Sequence, residues 1–455
     1  MRIKTVALET RASVVILLVL ALVPVIPVRA QQKNEIFTFT KIDMDLLEQC
    51  SLLDKKFDKE GLVYTDDALN SYLDQVANSI LPAAQPEHVQ WRFRVLRDPQ
   101  TDAFALPNGS IYLNSGILSL MDNESQLASV MAHEMAHVLN RHTYAHNRSV
   151  RKKAVAINIL GAAAGVAPIG AVGSAIVVIA QSLQFMLVIK AIGYSRELEK
   201  EADLYAANRL LDSPYEPEEM VSMFKLLNRD YDLEMSGPSF YSDHPKLTER
   251  IAYVGQLIQS RPHSPLTPEL MSAGRSRFLT NTQKIARHDV QLDLEARRFR
   301  TALAVSQKLV EFDPNSSENL FCLAEAYRSL GPRTMEPTGQ EATAKGREQM
   351  MKLKRKLTPD EEEKNLMSTP IGQSAWKTNQ LNAEEQYKKA LEIDGNNANA
   401  HRGFAMLLEQ EGKTQQAIEH YRKYLELRPN AMDRLVIQRR VDSLEAPKTP
   451  LKTAS

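Results

Sequence analysis

Residues 127–139 read Leu-Ala-Ser-Val-Met-Ala-His-Glu-Met-Ala-His-Val-Leu, and residues 195–203 read Ser-Arg-Glu-Leu-Glu-Lys-Glu-Ala-Asp. A helix advances 3.6 residues per turn, so His133 and His137 leave one face a turn apart, and both imidazoles can reach one tetrahedral zinc ion. Glu134 stands beside them without being a ligand. Its carboxylate is placed to take a proton from a water made acidic by the metal and to hand it to a leaving amine. The flanking Leu127, Val130, Met131, Val138 and Leu139 make the helix a largely buried one, where His and Glu are rare unless paired.

A catalytic zinc takes three protein ligands and keeps one position open, so a third donor must come from elsewhere. Glu199 and Asp203 supply a second i, i+4 pair. We assign Glu199 to the metal and Asp203 to the outer side of a ligand imidazole, where a carboxylate accepts the other ring N–H and raises its basicity. Glu197 and Glu201 lie two residues from Glu199, about 200° round the helix, and are expected to face away. His142 follows His137 on what reads as the same helix, about 140° round and with no glycine to bend the chain back, so it is expected not to be a ligand. His146, in the run that leads to Arg151, Lys152 and Lys153, is expected to be solvated.

Working outward, Thr65-Asp66-Asp67 reads as a helix start before Ala68, Leu69, Tyr72, Leu73, Val76, Ala77 and Ile80 at helical spacing. Trp91, Phe93 and Val95 alternate with Arg92, Arg94 and Arg97, as in a half-buried strand. Pro107-Asn108-Gly109 is a turn between two short extended runs, and Asp122 or Asn123 can cap the metal-site helix. Residues 35–60 are amphipathic without a clear placement.

The chain opens with Arg2, Lys4 and Arg11 before an uncharged run from Ala12 to Val28, and Val28-Arg29-Ala30 fits a cleavage site. Residues 1–30 therefore read as an export signal peptide, whose removal shifts the formal charge from +0 to −3. No basic excess argues for nucleic acid. Cys50 and Cys322 have no zinc-finger or redox spacing, and their pairing does not follow from sequence. Ala154–Ile189 carries no charge but is cut by Gly161, Gly165, Pro168, Gly170 and Gly173. We read 154–193 as an apolar helical hairpin, either a lid over the cleft or a peripheral membrane contact.

Gln259–Thr267, with Pro262 and Pro265, marks a boundary. Beyond it Ala383, Tyr387, Ala390 and Asp394 recur 34 residues later as Ala417, Tyr421, Tyr424 and Arg428, the tetratricopeptide period. Leu323-Ala324, Tyr327 and Gly331 form an earlier copy, and a charged insertion at about 332–380 interrupts the series. Such repeats stack into concave surfaces that bind proteins.

These motifs, with Asp243-His244-Pro245 followed by Arg250, resemble the minigluzincin-type zinc metalloendopeptidases of the CAAX prenyl protease superfamily. The export segment and repeat tail resemble its BepA-like periplasmic branch. The resemblance implies that His133, His137 and Glu199 bind one Zn²⁺ per chain, that Glu134 is the general base, and that His244 and Arg250 sit near the cleft. It further implies that His244 steadies the oxyanion or fills the open zinc position at rest. Ala103, Phe104 and Ala105, on the edge of the hairpin, would hold substrate as an added strand. Asp102 stands where relatives often have Asn.

The expected fold is mainly α with a small β-sheet: an α+β zincin-like peptidase domain over 31–262, an all-α tetratricopeptide-repeat domain over 263–445, and a disordered tail over 446–455. The expected function is a periplasmic endopeptidase, with or without membrane association, acting on unfolded, misfolded or stalled envelope proteins, its repeats recruiting substrate or the outer-membrane assembly machinery. A chaperone or scaffold with restrained proteolysis is the alternative. An integral prenyl-protein protease needs several spans that the sequence lacks.

Overall fold

A computed structural model describes residues 38–84, 86, 89–148, 194–234, 247–336 and 358–446. The export segment, the hairpin reading at 154–193, His244 and the 446–455 tail beyond Ala446 lie outside the described residues. Among the described residues no helix is long and apolar enough to cross a membrane.

Thr40 starts the first helix, α1 (Lys41–Lys59), by donating from its backbone N–H and its hydroxyl to Asp43. From Asp45 onward the chain forms one compact unit. Strand β1 (Val63–Tyr64) leads into helix α2 (Asp67–Asn78), whose N-cap Asp66 accepts from the Leu69 N–H. Strands β2 (Arg92–Leu96), β3 (Ala103–Ala105) and β4 (Ser110–Asn114) complete a four-stranded sheet of order β1-β2-β4-β3. β4 runs parallel to β2 and antiparallel to β3, with Phe104 opposite Tyr112. Gly109 closes the hairpin at φ +96°, and a Cβ there would meet the Gln90 carbonyl oxygen at 2.7 Å, so no other residue fits the turn unstrained.

All five residues of β4 are buried, whereas β2 buries alternate residues and turns Arg92 and Arg94 toward Asp54 and Asp58 of α1. Helix α3 (Ser115–Leu120) follows β4, and α4 (Glu124–Leu139) carries the His-Glu-x-x-His motif. Asn123 is its cap, accepting from the Gln126 N–H. α5 (Arg196–Leu211) and α6 (Glu218–Glu234) then pack on α4, and α7 (Leu247–Ser260) packs on α5 and α6. Leu73, Val76, Val95, Leu113, Met131, Met135, Ala206, Leu210 and Val254 meet in one core.

The proline-containing segment after α7 is pinned: Leu266 N–H donates to Glu216 at 2.7 Å, and the His263 ring lies 3.0 Å from Glu218. α8 (Pro268–Glu295) follows. Its Phe278, Leu279 and Ile285 enter the core of α4, while Ala286 and Val290 enter a second core with α9 (Phe299–Phe312) and α10 (Ser317–Leu330). Polar contacts add to this joint. Lys308 of α9 donates to the carbonyls of Ser119, Leu120 and Met121 at 2.6, 3.0 and 2.6 Å, satisfying the end of α3.

The remaining helices are α11 (Pro359–Met367), α12 (Pro370–Ile393), α13 (Ala398–Gln410), α14 (Thr414–Leu427) and α15 (Arg434–Glu445). The Ala and Tyr positions of the 34-residue period are core residues: Ala383, Tyr387 and Ala390 are fully buried, as are Ala417 and Tyr421, whereas Arg428 is exposed. Of the charged insertion, residues 332–336 are turn and loop, and most of 359–380 is helix. α11 begins with a Thr358–Glu361 capping box, and α12 reaches back to Pro370, with Asn379 bonding the carbonyls of Gly331 and Arg333. Cys50 and Cys322 are both buried free thiols.

Candidate metal centre

The core-facing side of α4 presents His133 and His137, and α5 lies across it. Ser195 caps α5 by accepting from the Leu198 N–H, which sets Glu199 in the first turn, directly over the two imidazoles. The Nε2 atoms of His133 and His137 are 3.1 Å apart. Glu199 places Oε2 3.5 Å from the first and Oε1 3.6 Å from the second. Bonds of about 2.0–2.1 Å to a tetrahedral zinc would separate neighbouring donors by about 3.3 Å. The three donors therefore fit one such ion, and all three side chains are buried.

Charge in the site also favours a cation. Burial pushes the His133 imidazole toward neutrality, yet Asp203 and Glu199 overcome it and raise its pKa to about 10. Asp203, one turn beyond Glu199, lies with Oδ1 3.0 Å from Nδ1 of His133. Burial alone would raise the Asp203 carboxyl, but the Arg250 charge and the His133 contact hold it at about 2. Arg250, fully buried on α7, makes a two-pronged contact with Asp203 at 2.8 and 2.6 Å and reaches Glu199 at 3.8 Å. Its guanidinium stacks over Phe224 at 4.6 Å.

Glu134 lies on the same helix, 2% exposed. Its Oε1 has no hydrogen-bond partner among the described residues. Burial, opposed by His133 and reinforced by Glu199 and Asp102, raises its pKa to about 8. A carboxyl group raised into this range is, once ionised, basic enough to take a proton from water. Strand β3 is the edge of the sheet and packs against α4, with Ala103 and Ala105 buried and Phe104 half-buried.

The structure thus brings together His133, His137, Glu199, Asp203, Arg250 and Glu134, with Ala103–Ala105 on the adjoining edge; His244 lies outside the described residues. Residues 67–258 match peptidase family M48, and residues 403–431 match a tetratricopeptide repeat. The chain carries an M48 peptidase domain.

Curated relatives of the chain point the same way. A Vibrio cholerae protein, named provisionally as a beta-barrel assembly-enhancing protease, is 29% identical over 255 residues, 55% of this chain and 51% of that one. The mitochondrial metalloendopeptidase OMA1 of Schizosaccharomyces pombe is 27% identical over 187 residues, covering 41% and 52%. The beta-barrel assembly-enhancing protease of Escherichia coli K12 is 26% identical over 196 residues, covering 41% and 38%. The chain spans about half the length of the first two and less of the third.

Sequence reasoning missed several neighbours of the M48 site. Tyr253 donates to Asp203 from α7, one turn beyond Arg250, and that i, i+3 spacing was the available signal. Tyr194 stacks on His137 at 4.1 Å and 16°, and its hydroxyl lies 2.8 Å from that of Thr143. His142 does not continue α4 as expected. The helix ends at Leu139, and Arg141 takes the left-handed conformation at φ 58°, a turn usually left to glycine. The chain doubles back, so His142 is buried with Nδ1 2.9 Å from Nδ1 of His137. His146 is likewise half-buried rather than solvated, its ring 6.0 Å from that of Tyr194.

Proposed function

We propose that this chain is a zinc-dependent endopeptidase of the bacterial cell envelope. The observation that carries the reading is the buried His133–His137–Glu199 group with the Glu134 carboxylate beside it. His133, His137 and Glu199 would hold the metal. When bound, zinc supplies Lewis acidity, polarising a peptide carbonyl and making water a better nucleophile near neutral pH. Glu134 takes the proton of the attacking water and delivers it to the departing amine nitrogen. Asp203, itself held by Arg250, orients His133. Strand β3, an edge of the sheet among the described residues, receives the substrate as an added strand through backbone hydrogen bonds, which suits a protease indifferent to most side chains.

Misfolded or stalled envelope proteins are the substrate class in this reading. It rests on the apolar opening of the chain and on the relatives named for beta-barrel assembly. The repeats from α9 onward recruit substrate or outer-membrane assembly machinery, as stacked repeats commonly do. His244, by resemblance, steadies the oxyanion or occupies the fourth zinc position at rest. The division at about residue 262 into peptidase and repeat domains belongs to the same proposal, as does export to the periplasm.

The test is cleavage of an unfolded outer-membrane protein by wild type, Glu134→Gln and His244→Ala, with zinc content measured for each. Hydrolysis by wild type, lost roughly 10²–10⁴-fold in Glu134→Gln at unchanged zinc content, supports the reading. Zinc-loaded wild type and His244→Ala that cleave nothing beyond Glu134→Gln would overturn it and leave a scaffold role.

A further inference from the structure

The two histidines of the M48 site are supported from opposite sides by different chemistry. His133 presents Nδ1 to Asp203, a buried carboxylate clamped by Arg250. The Nδ1 of His137 instead meets Nδ1 of His142 at 2.9 Å, the two rings nearly perpendicular at 76°. His142 is 1% exposed, and its Nε2 lies 3.5 Å from Oε2 of Glu201, whose side chain is 56% exposed. Tyr194 covers the face of His137, so the ring has little freedom to turn.

Proton counting gives this chain of contacts a direction. A neutral imidazole carries one N–H, and the nitrogen that binds a metal cannot be that one. With Nε2 of His137 turned to Glu199 and His133, its hydrogen sits on Nδ1 and is donated to His142. The Nδ1 of His142 must then be bare. A neutral His142 consequently carries its hydrogen on Nε2, the nitrogen that faces Glu201. One assignment of tautomers satisfies every contact, and the reverse assignment places the hydrogen of His137 on the nitrogen needed for the metal.

We propose that His142 and Glu201 are positioning residues for the metal ligand His137, forming a carboxylate–imidazole–imidazole chain that selects its metal-binding tautomer and runs from the site to the protein surface. The proposal rests on the reading that His133, His137 and Glu199 hold zinc. It makes the two ligands unequal: the Asp203 arm is sealed in the core, while the Glu201 arm ends in water. Its origin is the left-handed turn at Arg141, which brings His142 back against α4.

The experiment measures zinc affinity of the full chain by competition with a chromogenic chelator, together with ¹⁵N histidine NMR of the zinc-loaded wild type. His142→Phe keeps an aromatic ring but loses the acceptor, and it should weaken zinc binding about 10–100-fold, the usual effect of removing a partner of a ligand imidazole. His142→Gln, whose amide oxygen can accept from His137, should restore most of that loss. Glu201→Gln, at an exposed position where folding is not at risk, should show a smaller loss in the same direction. The NMR spectrum should show Nδ1–H on His137 and Nε2–H on His142. Wild-type zinc affinity in both His142→Phe and Glu201→Gln, or an Nδ1–H tautomer on His142, would overturn the proposal while leaving the metal site standing. A wild-type chain that takes up no zinc overturns both.

Discussion

Oδ1 of Asp203 lies 3.0 Å from Nδ1 of His133, and both oxygens of the same carboxylate are held by Arg250 from a third helix. One carboxylate thus ties α4, α5 and α7 together behind the metal site. Buried charges of this kind are stable only as a set, since removing one partner strands the other in a medium of low polarity.

Arg250→Met should therefore destabilise the protein by about 3–5 kcal/mol, because Asp203 and Glu199 would remain buried without their guanidinium. Asp203→Asn should be milder for folding but weaken zinc binding about 10–100-fold through His133. Urea unfolding and chelator competition separate the two effects. Wild-type zinc affinity in Asp203→Asn would show that the carboxylate acts in folding alone.

Glu199→Gln keeps the shape of the third donor and removes its charge, so the expected result is a zinc affinity well below wild type at near-native secondary structure. Chelation of the wild type should lower its thermal midpoint for the same reason, since a ligand at about 1,000 times its Kd contributes about 4 kcal/mol to the folded state. Calorimetry with and without chelator reads this directly. An unchanged midpoint and full zinc content in Glu199→Gln would move the third ligand elsewhere.

In the repeats, His420 packs against the rings of His401 and Phe404 at 5.0 and 4.7 Å. Burial first, and then the neighbouring His401, lowers its pKa from 6.5 to about 4, against a small opposing pull from Glu419. The unfolded chain therefore binds this proton more tightly. Its contribution to stability is intact above about pH 6.5 and is lost as pH falls toward 4. The C-terminal helices should soften over that window, and His420→Phe should flatten the dependence in a chemical-denaturation series.

Gly403 sits where a Cβ would lie 2.2 Å from Oε1 of Glu325 and 2.6 Å from the Tyr387 hydroxyl. Tyr387 donates to Glu325, which also pairs with Arg328. Gly403→Ala should cost about 1–3 kcal/mol by overpacking and by opening this buried contact between α10, α12 and α13. Urea titration followed by tyrosine fluorescence provides the measurement, and an alanine as stable as glycine would mean that the three helices shift apart easily.

Much of this architecture is written in periodicity. The His133–Glu134–His137 spacing and the i, i+4 pair of Glu199 and Asp203 report the pitch of a helix, and the 34-residue spacing of Tyr387 and Tyr421 reports the length of a two-helix repeat, properties that sequence carries in full. The Asp66 cap and the Pro107-Asn108-Gly109 turn are equally local. From these alone follow a helical peptidase domain with a small sheet, a repeat tail and the His133–His137–Glu199 group.

What local pattern could not convey is how separate helices meet. Nothing near Arg250 announces that its guanidinium will be fully buried against a carboxylate 47 residues away. The left-handed turn at Arg141 has no glycine to signal it, so a histidine expected to point away became the neighbour of His137. Helix α8 likewise shares its side chains between two cores on either side of a segment that reads as a boundary. Spacing along the chain determines which residues share a face, because backbone geometry repeats. Which faces then meet was decided only by tertiary packing, where buried polar groups must find partners from any distance in sequence.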